Sequence, residues 1–256
     1  MEKHIEIATP DGRMDAFVAS PDGDQAHPAV LLLMDIWGLR VELLDVARRI
    51  AAAGYTCILP NTYYRQGRVR FEYRDERGRM RSIDTLPDEV QDQLRTQMRL
   101  LTDAMVVEDA GSILELLAGE PVTPGPVGVI GYCMGGRHAL AVAGGLPERF
   151  RATVSLHGTR LVTDEPHSVH LLADRFRGEI YCGFAEHDAL APPSTIAALA
   201  ELLDRRDTVD YHHIVHAGTH HGYSLPDRDI YDGQAAEMDW TIILAMFGRQ
   251  LPQGAR

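Results

Sequence analysis

The sequence predicts an α/β fold: a doubly wound, mostly parallel sheet with helices on both faces. Three observations point there. Short β-branched and aliphatic runs alternate with runs of helical period along the chain. A Pro- and Gly-rich loop at 119–125 feeds a strand-turn-helix string that begins at Val127. No repeat, low-complexity linker or composition break divides the 256 residues, so a single domain over 1–256 is expected.

The elements fall in this order. Residues 5–7 and 17–19 read as short strands on either side of the turn residues Thr9-Pro10-Asp11-Gly12. Residues 29–34 and 56–59 are unbroken apolar runs, the pattern of strands buried on both faces, with a helix over 41–53 between them. Arginines then crowd the chain, and Val69, Phe71 and Tyr73 alternate with charged residues ahead of a turn at 75–78. An Arg-rich hairpin inserted at about 65–83 is therefore expected. Residues 87–117 carry Leu94, Met98, Leu101 and Met105 at helical intervals and read as one long packing helix. A strand at 127–130, a helix at 134–144 and strands at 152–156 and 180–184 follow. Pro192 and Pro193 open a helix at 194–205, after which come a strand at 209–215 and a helix at 231–247.

Gly131-Tyr132-Cys133-Met134-Gly135-Gly136 joins the 127–130 strand to the 134–144 helix. A side chain held at a sharp strand-to-helix turn has a strained backbone and close neighbours, and Gly131 and Gly135 supply the room. The string reads as a nucleophile elbow with a thiol in place of the usual hydroxyl. There Cys133 Sγ faces the positive end of the following helix, which favours thiolate, and the N–H of Met134 points toward a carbonyl under attack. An inert buried cysteine at a tight turn is the competing reading. A triad also needs an acid and then a histidine, each just past a strand, because open α/β sheets carry their chemistry at the carboxyl ends of strands. Asp188, past the 180–184 strand, is the candidate acid. His221, past the 209–215 strand and before Gly222, is the candidate base. His220 and Asp207 are the alternatives, although Asp207 precedes its strand.

With these residues placed, the chain resembles the dienelactone hydrolase (carboxymethylenebutenolidase) family of α/β-hydrolases. The likeness runs through Thr9-Pro10-Asp11-Gly12, Met34-Asp35-Ile36-Trp37-Gly38, Pro60-Asn61-Thr62-Tyr63-Tyr64-Arg65, Gly131 to Gly136, Asp188 with its prolines, and His221-Gly222-Tyr223. The resemblance implies a catalytic triad of Cys133, Asp188 and His221 and an oxyanion hole made by the N–H groups of Ile36 and Met134. It also implies a small-molecule lactone or ester as substrate, with no cofactor and no metal. Family members resemble one another in a glutamate, at the position of Asp35, that modulates the resting thiol; aspartate is one methylene shorter. They also carry an arginine four residues past the catalytic histidine to hold the substrate carboxylate. Leu225 stands there, with Arg228 three further on. His157, Trp37 and Tyr132, by their places at strand ends, are candidate substrate-pocket residues, with core packing as the alternative for each. Arg65, heading the arginine-rich segment, is a candidate for attracting an anionic substrate.

Composition sets the outer bounds. Twenty-five basic against 37 acidic side chains leave a net charge of −12, which argues against a nucleic-acid partner. No apolar run approaches the roughly 18 residues of a membrane span and no signal-type segment is visible, so a cytoplasmic protein without a membrane partner is expected, as a monomer or homodimer. Cys57, Cys133 and Cys182 are odd in number and lack metal-type spacing, which suits a reducing compartment. Beside a cysteine hydrolase, the same fold could use Cys133 as a redox- or electrophile-sensing thiol, or bind ligands without turnover.

Overall fold

The central strands are apolar on both faces, so helices must cover the sheet on both sides. The computed structural model describes residues 1–67, 69, 71–119 and 121–251. In chain order the elements are β1 (Glu2–Thr9), β2 (Gly12–Ala19), β3 (Ala29–Leu33), α1 (Val41–Ala52), β4 (Thr56–Pro60), α2 (Asp88–Leu100), α3 (Asp103–Leu117), β5 (Val127–Tyr132), α4 (Met134–Gly145), β6 (Phe150–Leu156), β7 (Gly178–His187), α5 (Pro193–Leu203), β8 (Val209–His220) and α6 (Gly233–Gln250). The strands form one mixed sheet in the order β1-β2-β4-β3-β5-β6-β7-β8. β2 pairs antiparallel with both β1 and β4, and every other pair is parallel.

Alternation along β5 assigns the helices to their faces. Gly128 lies against Phe247 and Leu251 at the end of α6, whereas Gly131 lies against the α4 backbone at Gly135. Residues of unlike parity point to opposite faces, so α6 and α4 sit on opposite sides of the sheet. α1 lies beside α6: Arg49 pairs with Glu237 at 2.6 Å and stacks 4.5 Å from the Trp240 ring. α3 packs on α4. The chain thus leaves β3 for one face and β5 for the other, and this change of side opens a crevice at the carboxyl ends of the strands.

Two expected elements take another form. The long helix over 87–117 is two helices. Leu101 leaves the helical region at φ −97° and ψ 105°, and the Thr102 hydroxyl accepts the Met105 N–H at 3.3 Å, capping α3. The arginine-rich segment is not a two-stranded hairpin among its described residues; Arg68 and Arg70 lie outside them. A 3-10 turn occupies Tyr64–Gln66, and a single bridge, Arg74 to Met80, closes the turn at 75–78. Met80 is fully buried and also pairs with Arg228, so the segment is stapled to the chain beyond β8 as well as to itself through Asp75 N–H to Arg79 O and Arg81 N–H to Tyr73 O. Val69, Phe71 and Tyr73 pack against the core, which explains their alternation without a strand partner.

Candidate active site

The turn between β5 and α4 holds Cys133 at φ 57° and ψ −117°, a conformation that costs a non-glycine residue about 1–3 kcal/mol. Its neighbours show why the sequence bends here. A Cβ on Gly131 would overlap the Gly135 carbonyl, and one on Gly135 would press on the carbonyls of Leu33 and Met34, so only glycine lets strand, turn and β3 approach this closely. The Cys133 N–H donates to Leu156 O at 3.0 Å, and its carbonyl accepts from Gly136 and Thr159.

The three residues expected to form a triad lie together. Cys133 Sγ is 3.1 Å from His221 Nε2, and His221 Nδ1 is 2.7 Å from Asp188 Oδ2. Asp188 follows β7, where its other oxygen accepts the Leu190 N–H at 2.8 Å. His221 follows β8 in a turn whose Tyr223 N–H donates to His220 O. Cys133 is only 6 % exposed, and the His221 side chain, at 21 %, forms the open edge of the group. Burial opposes a charge on His221, but the Cys133 sulfur and the Asp188 carboxylate outweigh it and push its pKa up to about 10. The imidazole is thus held protonated beside the sulfur at neutral pH. His220 instead turns its ring toward His187, and Asp207 lies before β8 at the far end of the sheet.

The Ile36 N–H, in the loop after β3, and the Met134 N–H, in the first turn of α4, have no protein acceptor among the described residues. The peptide after Ile36 is fixed from both ends. Its carbonyl accepts the Tyr63 hydroxyl at 3.2 Å, and its N–H, on Trp37, donates to Asp35 Oδ1 at 3.1 Å. Tyr63 also contacts Met134 Sδ at 3.5 Å and so touches both candidate oxyanion residues. Burial first, then the charges of Asp35 and Cys133, keeps the Tyr63 phenol protonated, hence a donor.

Other candidates are placed differently. Asp35 is fully buried, and both its oxygens accept from Arg40, at 2.7 and 3.0 Å; the carboxylate is committed to that pair and not to the thiol. Arg40 also donates to Asp227 at 2.6 and 3.2 Å, which ties the loop after β3 to the loop after His221. Burial opposes the Arg40 charge, but the two carboxylates outweigh it and raise its pKa. Arg65 donates to Asp11 and bidentately to Asp109 of α3, which leaves it no role above the site. Trp37, Tyr132 and His157 are fully buried; His157 meets the His221 ring edge to face with ring centroids 5.0 Å apart. Leu225 is also fully buried.

Four residues at the site carried no role from sequence. Tyr63, Arg40, Asp227 and Arg228 act through partners far along the chain, such as the 187 residues between Arg40 and Asp227. Arg228 is 4 % exposed, folds back against Gly222 beside His221, and lies 5.8 Å from the Trp37 ring; its Nε and the Trp37 Nε1 have no hydrogen-bond partner among the described residues. The one signal available was a buried-type position holding a charge, such as Arg40 at the head of an apolar helix face. Among the described residues one group with metal-ligating geometry occurs, Glu179, Asp210 and His212, at the opposite ends of β7 and β8, and Arg249 already claims Glu179.

Comparison with known proteins places this geometry. A model of the dienelactone hydrolase family matches residues 14–251. A relative from Synechocystis, named "Putative carboxymethylenebutenolidase", is 24% identical over 253 residues, covering 96% of each chain. Among solved structures, one titled "Putative Dienelactone Hydrolase" from Klebsiella pneumoniae superposes with a TM-score of 0.82 at 22% identity over 97% of this chain and 98% of that one. A dienelactone hydrolase-like promiscuous phosphotriesterase from metagenomic libraries gives 0.72 at 18% identity, covering 98% of both. At these identities the structural likeness speaks for the fold.

Proposed function

Because the chain belongs to the dienelactone hydrolase family, a group of hydrolases acting on ester bonds, we propose that it hydrolyses a lactone or carboxylic ester through Cys133 as nucleophile. The observation that carries this reading is the continuous line from Asp188 Oδ2 through His221 to Cys133 Sγ, at 2.7 and 3.1 Å. In the proposed reaction Cys133 attacks the carbonyl as thiolate, and the N–H groups of Ile36 and Met134 receive the oxyanion. His221 gives its proton to the departing alkoxide as the C–O bond breaks, leaving a thioester. It then takes a proton from water, whose oxygen attacks the thioester carbon, and keeps that proton as the C–S bond breaks and Cys133 leaves as thiolate, which restores the starting pair. Asp188 keeps the imidazole oriented and supports its charged form.

Arg228 extends the reading to the substrate. A buried guanidinium with an unpartnered Nε, its carbon 5.8 Å from the ring of Trp37 whose indole N–H is also unpartnered, offers two donors and no acceptor. We take the acyl portion of the substrate to carry a carboxylate or another strong acceptor that fills this need.

A panel of lactones and aryl esters, with and without a free carboxylate, tests both statements. Cys133→Ala is expected to lose at least about 1000-fold in turnover while staying folded, since triad members act as a unit. Undiminished hydrolysis by that variant would end the assignment. The other cysteines, Cys57 and Cys182, are fully buried in β4 and β7 and offer no accessible resolving thiol, so nothing in the geometry favours the redox reading.

A further inference from the structure

We propose that His157 is a positioning residue for this reaction: its buried ring, locked edge-on behind His221, holds the catalytic imidazole in line with Asp188 and Cys133 and supports its protonated form. The inference rests on the hydrolase reading given above.

The first support is strain. Among the described residues only Cys133, His157 and Arg160 combine a side chain with positive φ, at 57°, 39° and 54°. Two of them, Cys133 and His157, belong to the site, and the turn after β6 that contains His157 and Arg160 also donates the Thr159 N–H to the Cys133 carbonyl at 3.3 Å. A histidine at φ 39° is costly, and the surroundings must over-determine it. They do. The His157 N–H donates to Gly183 O of β7 at 2.7 Å, and its Nε2 lies 2.9 Å from the Ser224 hydroxyl in the loop after His221.

The second support is what the ring touches. His221 meets it at 5.0 Å and 73°, Tyr223 at 5.7 Å and 70°, and Tyr132 of β5 at 5.9 Å and 45°. The charged and titratable groups facing it are His221 and Arg228 from the region after β8 and Arg40 from the head of α1. Burial first, and then these positive neighbours, hold the His157 pKa well below the ordinary histidine value, so the ring stays uncharged while His221 is an imidazolium. A second charged ring 5.0 Å away would oppose the His221 charge, so a neighbour held uncharged lets the imidazolium persist beside Asp188 and Cys133. A ring fixed on three sides also denies the His221 imidazole any swing away from the sulfur, the freedom that a catalytic base must lose before substrate arrives.

The test is the pH profile of Cys133 alkylation by iodoacetamide, together with steady-state ester hydrolysis. His157→Asn tolerates the left-handed backbone but deletes the ring, and its shorter amide stops short of the Nε2 position that meets Ser224. The alkaline step of the profile, where His221 loses its proton, is expected to fall by about one pH unit, and kcat roughly tenfold with KM within about twofold. His157→Phe restores an uncharged ring and is expected to recover the position of that step. An Asn variant that is folded by circular dichroism and keeps both the wild-type profile and kcat overturns the proposal. If the Asn variant does not fold, Ser224→Ala, which frees the ring without removing it, is expected to shift the step in the same direction by less; no shift there overturns the proposal equally. Alkylation needs no substrate, so a wild type that shows the profile yet hydrolyses no ester defeats the hydrolase reading alone.

Discussion

At the scale of residues, the candidate site depends on partners that hold backbone groups still. Tyr63 is the sharpest case. Two ties, its hydroxyl on the Ile36 carbonyl and Asp35 on the Trp37 N–H, hold the peptide after Ile36, and the peptide before it, which carries the Ile36 N–H, is held by the Gly38 N–H on the Asp35 carbonyl at 3.2 Å, so the backbone on both sides of Ile36 is set before any substrate arrives. Tyr63→Phe removes one of those two ties and is expected to lower kcat about tenfold with little change in KM, less than the roughly 100- to 1000-fold of losing an oxyanion donor outright. Steady-state kinetics on an aryl ester read this directly; a change confined to KM would contradict it. Asp35 likewise takes its place from a distant partner. Its proximity to the elbow was legible from the string Met34 to Gly38, but the commitment of its carboxylate depends on Arg40 and Asp227, and no local pattern encodes a pairing across 187 residues. Cys133, Asp188 and His221 were legible as a set because chain order and strand ends constrain them together, whereas a pocket wall such as Arg65 was judged alone.

At the scale of elements, α6 binds the ends of two strands and the turn beyond them through one buried acid. Asp239 is fully buried and accepts from Tyr181 of β7, His216 of β8 and Tyr223, two residues past His221, each at 2.6 Å. Burial first, then Asp239, holds both phenols protonated as donors. Asp239→Asn keeps the shape but replaces an acceptor of three donors with an amide that must donate into them. A loss of about 3 kcal/mol is expected in urea denaturation, since hydrogen bonds to a buried charge contribute about 1.5–3 kcal/mol each. A variant within about 0.5 kcal/mol of wild type would refute this role. All eight strands were legible, the central ones as short apolar runs bounded by turn residues and β1, β2 and β8 from β-branched and aromatic residues mixed with polar ones. The antiparallel start of the sheet was not, since periodicity says nothing of strand direction. The break between α2 and α3 was written in Leu101-Thr102-Asp103, a capping threonine before an acid, but the apolar spacing of Leu94 to Met105 ran straight across it.

At the scale of the whole molecule, the buried histidines make stability depend on pH from both sides. Burial, assisted by Arg137, lowers the pKa of His138 on α4 to about 3, and His157 is likewise held well below its ordinary value. In the unfolded chain both titrate near 6.5. Between those values the unfolded state binds more protons than the folded one, so their contribution is complete above about pH 6.5 and is lost as pH falls. For His138 the loss is about 1.4 kcal/mol per pH unit, hence about 2 kcal/mol at pH 5, and His157 adds to it in the same sense, against a total of about 5–15 kcal/mol for a typical domain. His221 acts in the opposite sense. Raised to about 10, its contribution is complete below about pH 6.5 and is lost as pH climbs through its folded value. Urea denaturation from neutral pH down to about pH 5 is therefore expected to show a steep acid limb that His138→Gln makes shallower by up to about 1.4 kcal/mol per pH unit. Parallel limbs in the two proteins would mean that the acid sensitivity resides in the carboxylates, and that burying uncharged histidines around the elbow costs the fold nothing.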